Sequence, residues 1–508
     1  MTSPHAAPVH PTVPEADVQH SVLAALRSPR RLRTEVLAGL VVALALIPEA
    51  ISFSILAGVD PRVGLFSSFV MAVSIAFLGG RPAMISAATG AIALVIAPVA
   101  RDHGLDYLLA TVILGGLIQV VLGVVGVARL MRFIPRSVMV GFVNALAILI
   151  FLAQVPHLVD VPWVVYPLVA IGIAIIVLLP KVTTVVPAPL VAIVVLTVVT
   201  VAFSVQVPQV RDEGALPDSL PALLFPDVPL NVETLRIIAP YALAMALVGL
   251  LESLMTAKLV DDVTDTHSNK TREAWGQGTA NVLSGFFGGI GGCAMIGQTM
   301  INVKASGART RISTFLAGVF LLVLVVGLGD VVGIIPMAAL VAVMVIVSVA
   351  TFDWHSIKPA TLRRMPLSET VVMVLTVAVV VATHNLAYGV VVGVVAAMVL
   401  FARRVAHLTT VTRLDSSDDD GERVYAVSGE LFFASSNDLV YQFDYTGDPE
   451  RVVIDLSDAH VWDASTVATL DAITTKYAAK GKQATIIGLN EDSARRHGRL
   501  AGQLGGGH

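Results

Sequence analysis

Apolar residues run in blocks of about twenty between Val36 and Phe401, broken by short clusters of glycine, proline and charge. A helix of that length reaches across the hydrocarbon core of a bilayer, which is about 30 Å thick. The pattern predicts spans at 36–57, 63–78, 84–100, 107–128, 138–155, 164–179 and 190–205. A second set follows at 237–258, 276–291, 294–306, 312–328, 331–350, 370–383 and 386–401. Between them lies a loop, 207–232, carrying Pro208, Pro217, Pro221, Pro226 and Pro229. Seven spans fall on each side of it. The chain therefore reads as an all-α polytopic membrane domain at 35–404, with 14 spans in two halves near 35–206 and 235–404.

The pattern changes on both flanks. Residues 1–34 begin rich in Pro and His and lack the basic start and apolar core of a cleavable signal, so they read as a cytoplasmic tail. Residues 405–422 end in the run DSSDDDGE and read as a linker. Beyond it, strand-like segments at 424–427, 451–456 and 484–489 alternate with helical ones at 435–443 and 465–479. Strands alternating with helices predict a small α/β domain at 423–508.

Composition agrees: 56% of residues are hydrophobic and 14% charged, against roughly 45–50% and 25% in a soluble domain. A net charge of -4 says little, but its placement orients the chain. With the N-terminus inside, cytoplasmic loops receive Arg27, Arg30, Arg31 and Arg33, then Arg129, Arg132 and Arg136. They also receive Lys258, Lys270, Arg272, Lys304, Arg309, Arg311, Lys358, Arg363, Arg364, Arg403 and Arg404. The outside keeps chiefly Arg62, Arg101 and Arg211. Basic residues gather on the cytoplasmic side, so both termini are expected there, in an inner (plasma) membrane.

Single Cys293 excludes an intramolecular disulfide or a thiolate metal cluster. No phosphate-binding loop, zinc spacing or nucleophile elbow is present, which argues against an enzyme, a primary pump or any cofactor. Nothing points to nucleic acid. The stretch 261–267 (DDVTDTH) reads as a solvated loop rather than a metal site, and His384, Asn385 and Tyr388 read as loop residues.

Two spans are poor helices at one end. The third begins GGRPAMISAATG at Gly79, and the tenth begins GGIGGCAMIGQT at Gly288. Both contain Ala-Met-Ile followed by a small residue, and they hold matching places in the two halves. Paired interrupted segments mark the binding site in transporters built from inverted repeats. A helix that starts within the membrane offers free N–H groups and a positive dipole end to an anion. The same glycines would also serve plain helix packing. One acid stands in the first span of each half, Glu49 in IPEAISF and Glu252 in GLLESL. Ionisable groups in spans are costly and usually functional, and carboxylates there can exchange protons near neutral pH. A structural hydrogen bond is the alternative for each.

At these motifs the sequence resembles the SulP (sulfate permease) family of bacterial anion transporters over nearly its whole length. The first-span signature is IPEAISFSILAG at 47–58 with Pro61, Gly64 and Leu65; QGTAN at 277–281 and Asn302 with SGART at 306–310 flank the tenth span. The tail resembles a STAS domain, with Asp463-Ala464-Ser465-Thr466 at its strand-to-helix turn. The resemblance implies a 7+7 inverted repeat divided into core and gate domains, elevator-like movement and a homodimer. It places the substrate among Glu49, Phe53, Ala87, Ala88, Thr89, Glu252, Gly297, Gln298 and Thr299. Glu49 stands where many members carry Gln, Ala88 where several carry an aromatic residue, and Gln298 where many carry Arg.

These departures remove a cation, add a titratable acid and widen the pocket. The expected function is a secondary active symporter of a small dicarboxylate or similar anion, driven by protons through Glu49 or Glu252. Sodium is the alternative coupling ion. A sulfate or bicarbonate symporter and an uncoupled exchanger or channel are alternatives within the class. A membrane-anchored regulatory scaffold, with a cytoplasmic partner at the STAS domain, is the alternative of another class. At Ser465 the resemblance raises phosphorylation, but Thr466 replaces the usual glycine, which favours scaffolding or dimer support.

Overall fold

The computed structural model describes residues 21–126, 134–183, 187–406, 409–414, 421–436 and 439–502. Residues 1–20 of the expected tail, Arg129, Arg132 and 415–420 of the expected linker lie outside them. The chain divides into two units, Met1–Gly393 and Val394–His508.

The first half contains helices α1 (Pro29–Ala57) and α2 (Pro61–Leu78), a two-residue strand β1 (Ser86–Ala87), and α3 (Gly90–His103). It continues through α4 (Leu105–Val125), α5 (Arg136–Leu152), α6 (Val165–Leu178) and α7 (Ala188–Ala202). The second half repeats the order: α8 (Val232–Thr264), α9 (Lys270–Phe286), strand β2 (Cys293–Ala294) and α10 (Ile296–Met300), prolonged by a π-helical turn Ile301–Ala305. Then come α11 (Arg311–Gly327), α12 (Met337–Thr351), α13 (Leu367–Thr383) and α14 (Leu386–Ala406). Six of the described helices are long and apolar enough to cross a membrane, and α6, α7, α11, α12 and α13 are shorter apolar helices. Proline at the first turn starts α1 and α2, where its missing N–H costs nothing.

Dense helix pairing falls into two groups. One joins α1–α4 with α8–α11; the other joins α5–α7 with α12 and α13. Contacts between the groups, such as α1 with α12 and α7, are sparser. That is the expected core-and-gate division.

The expected spans 84–100 and 294–306 are not continuous helices. α3 starts only at Gly90, and α10 runs five residues before its π turn. In their place β1 and β2 pair antiparallel, Ser86 with Ala294 and Ala87 with Cys293. Glycine-rich approaches disfavour helix, and Gly292 permits the crossing: a Cβ there would lie 1.9 Å from the Ala87 carbonyl oxygen.

The stretch 261–267 also differs from expectation. Asp261 to Thr264 form the last turn of α8, and Asp265 adopts a left-handed conformation at its end. Asp261 is the hub of a half-buried network. It accepts from Arg81 Nη1 at 3.0 Å and Lys270 Nζ at 2.6 Å, while Arg81 also reaches Thr264 and Thr266. Glu273 accepts the N–H groups of Gly80 and Arg81. This fixes the entry to β1 against α8 and α9. Arg81→Ala removes a buried guanidinium and its bonds to Asp261, Thr264 and Thr266, while Lys270 still pairs with Asp261, so the cost should be about 1–3 kcal/mol. Thermal unfolding in detergent should register a clear loss of stability. An unchanged midpoint would mean that the network contributes nothing. Residues His384 and Asn385 do lie between helices, but Tyr388 belongs to α14.

The second unit holds a four-stranded sheet of β3 (Thr410–Leu414), β4 (Glu422–Leu431), β5 (Arg451–Val461) and β6 (Gln483–Ile487) in that order. The β3–β4 pair is antiparallel and the other two pairs are parallel. Strand β3 lies inside the segment read as linker; its alternating Thr-Val-Thr signal is too short to stand out. Helix α15 (Ala464–Ala479) buries Val467, Leu470, Ile473 and Tyr477 with Val452, Ile454 and Leu456 of β5. The expected helix at 435–443 is instead two short turns, Phe433–Ser436 and Leu439–Gln442, with 437–438 outside the described residues. Helix α16 (Glu491–Leu500) closes the unit. Burial, then the hydrogen bond to Asp448 at 2.6 Å, pushes the Tyr477 phenol well up, so it remains a donor.

Candidate functional site

Non-helical backbone survives inside a membrane only where protein groups satisfy it. Polar side chains of the flanking helices do so here. Ser68 accepts the Ala88 N–H at 3.2 Å and Ser253 accepts the Ala294 N–H at 3.1 Å. Asn281 both accepts from Gly292 N and donates to Gly292 O, at 2.8 and 3.0 Å. Gln277 donates to Ser86 Oγ at 2.6 Å, and Asn302 to the Ala83 carbonyl at 2.8 Å. Gln277, Asn281 and Asn302 thus hold the strand crossing in shape.

Around that crossing the structure gathers residues distant in sequence. Glu49 on α1 is half-buried, and its Oε1 accepts a hydrogen bond from Gln298 Nε2 at 2.8 Å. Glu252 on α8 is buried, and its Oε2 accepts from the Cys293 thiol at 2.9 Å. Thr89 Oγ1 lies 3.1 Å from the same sulfur and caps α3 by accepting from Ile92 N. Phe53 covers the start of α3, with a ring carbon 2.9 Å from where a Cβ on Gly90 would stand. Among the described residues no partner takes the N–H groups of Gly90 and Ala91, or of Ile296 and Gly297. Helix starts with free donors attract anions. Beside Gly297 there is open space, with no heavy atom within 4 Å of a built Cβ.

Not every expected residue offers a free group. Ala87 is paired with Cys293, and the Ala88 N–H is taken by Ser68. The Thr299 hydroxyl accepts from Ile85 N at 3.0 Å and is fully buried, so it pins β1 rather than facing a ligand. Conversely, Gln298 Oε1 is buried without a partner. Ser68 and Ser253 carry no mark in the sequence, and Cys293 none beyond being the lone cysteine; small polar residues in apolar runs look like packing until their partners are known. Asp463 caps α15 by accepting from Thr466 N at 2.9 Å and also accepts from Phe433 N at 2.6 Å. Ser465 is exposed in that first turn.

Free helix starts suit an anion, and comparison with known proteins shows what the chain as a whole resembles. The sulfate permease family model matches residues 32–165 and 166–376, and the STAS domain model matches 413–501. The chain is 55% identical over 462 residues to YbaR of Bacillus subtilis, which carries a provisional sulfate-transporter name; the match covers 91% of this chain and 95% of that one. The transmembrane domain of a cyanobacterial bicarbonate transporter, BicA, is similar at 26% identity, covering 72% of this chain and 97% of that one, with a TM-score of 0.63. The murine Slc26a9 anion transporter, in its inward-facing state, shares the fold at TM-score 0.79 and 16% identity, covering 97% and 92%. With its paired half-helices, its core-and-gate division and its α/β tail, the chain belongs to the sulfate permease family: it is a membrane-spanning transporter of anions with a C-terminal STAS domain, not an enzyme.

Proposed function

We propose that this protein is a proton-coupled symporter of a small dicarboxylate or similar anion, working by elevator-like movement of the core group against the gate group. The observation that carries the reading is the pairing of two membrane carboxylates, Glu49 and Glu252, with the free helix starts at Gly90 and Ile296. Donors attract the anion, while nearby negative charge opposes it. A proton arriving on Glu49 or Glu252 removes that opposition, so proton and anion bind best together. A homodimer with cytoplasmic termini in the inner membrane completes the reading.

A second reading within the class is favoured by one atom. Gln298 directs its Nε2 to Glu49, which leaves Oε1 as a buried acceptor without a donor. An anion carrying an O–H, such as hydrogencarbonate, would satisfy it; sulfate would not. The deciding experiment is uptake into proteoliposomes of succinate, fumarate, sulfate, bicarbonate and chloride, with and without a proton gradient. Gradient-driven accumulation of a dicarboxylate supports the first reading, and of bicarbonate alone the second. Exchange indifferent to the gradient would remove proton symport.

The scaffold alternative makes an opposite demand. Every candidate pocket residue precedes Gly393, and α14 ends at Ala406. A chain cut after Ala406 should bind and transport with affinity within about threefold of the full chain. Loss of binding in a well-folded truncated protein would favour regulation through the STAS domain.

A further inference from the structure

Cys293 is the only cysteine of the chain and lies fully buried on β2, in contact with two members of the candidate site. The direction of its hydrogen bonds follows from what each atom can do. A charged carboxylate only accepts, so the thiol proton goes to Glu252 Oε2, 2.9 Å away. With its one proton committed, the sulfur can only accept from Thr89, so the Thr89 hydroxyl donates to it across 3.1 Å. The remaining lone pairs of Thr89 Oγ1 accept the Ile92 N–H at 3.4 Å. Every donor in this chain points toward Glu252, from the first turn of α3 through Thr89 and Cys293.

We propose that Cys293 is a positioning residue for coupled transport: its thiol holds Glu252 Oε2 as an acceptor and ties the protonation of that carboxyl to the Thr89 cap of α3. This rests on the symport reading. While the chain holds, Oε2 stays an acceptor and the incoming proton is directed to Oε1. A proton placed on Oε2 instead would turn the thiol around toward Thr89 and disturb the cap where the anion is held. The surroundings leave Cys293 alone in this role. Among the described residues it is the titratable group in contact with Glu252; α3 presents Thr89, and α4 brings Gln119 to Gly249 and Asn281. Glu49 on α1 is engaged by Gln298, and Glu273 on α9 by Gly80, Arg81 and Gln277.

A single cysteine makes the test direct, because the S–H stretching band of the purified protein in the infrared belongs to Cys293 alone. The band should shift as pH is lowered through the range that drives uptake, and Glu252→Gln should abolish the shift. A band that does not move, or that moves equally in Glu252→Gln, overturns the proposal without any Cys293 variant. In proteoliposomes, with radiolabelled succinate, sulfate and bicarbonate as probes, Cys293→Ala should lose about tenfold in gradient-driven accumulation. Affinity without a gradient should stay within about threefold, since the anion's own contacts remain, and Cys293→Ser should restore coupling because its hydroxyl donates. Accumulation at the wild-type level in Cys293→Ala, or a folded Cys293→Ser as defective as Ala, would also overturn it. Should wild-type uptake ignore the gradient, the symport reading fails by itself, and the infrared band still decides the relay.

Discussion

Glu49→Gln should collapse proton-driven accumulation while leaving the protein folded and able to bind the anion. For one proton moved per anion and no membrane potential, each pH unit of gradient supports about tenfold accumulation in the wild type. The variant should show none. Glutamine preserves the shape, and its carbonyl oxygen accepts the same 2.8 Å hydrogen bond from Gln298 that Glu49 Oε1 accepts. What disappears is the ability to take and release a proton. Counterflow exchange, measured on the same vesicles, checks that the carrier still moves. A Glu49→Gln protein that concentrates substrate as well as wild type would show that Glu49 takes no part in coupling and leave Glu252 as the sole proton carrier.

Gly297→Trp should abolish binding, with a loss of about a hundredfold or more in affinity. Gly297 is the second residue of α10, and a Cβ there meets no heavy atom within 4 Å, so a side chain at this position starts into the room the anion needs. Gly297→Ala is the control and should cost less than about tenfold, since a methyl group leaves most of the space. Ala88→Trp would be a poorer probe. Ala88 is only 1% exposed and its N–H is held by Ser68, so a large side chain there would break the crossing by overpacking. Isothermal binding on monodisperse protein separates the cases: full affinity in Gly297→Trp would move the pocket elsewhere.

Much of this was legible because a membrane simplifies the physics. A span must be long and apolar, so the order of helices, the proline-rich break at 207–232 and the separate tail all stand out in the pattern. The interrupted third and tenth segments were visible for the complementary reason: glycine and proline are conspicuous where a helix is expected. Glu49 and Glu252 stood out as charges in apolar runs. The strand-to-helix turn at Asp463 could be read from its motif, and the structure gives it a capping bond to Thr466.

What the sequence could not carry was partnership. Residues 249 positions apart, Glu49 and Gln298, meet only when the two halves fold against each other. Thr299 and Thr89 look alike on paper, two hydroxyls near helix starts, yet one pins Ile85 and the other contacts Cys293. The difference is a matter of which neighbour each hydroxyl reaches, and such reach is set by tertiary packing. The same holds for Gln277, Asn281 and Asn302, whose polarity is explained by the unpaired backbone they satisfy. Sequence by itself determined which segments are apolar enough for a membrane and where its helices fail, because apolar character and backbone pairing act locally and are written in residue type. Only the tertiary structure decided which polar groups remain free for a ligand, because hydrogen bonds are exclusive and each one made inside the protein removes a donor or acceptor from the site.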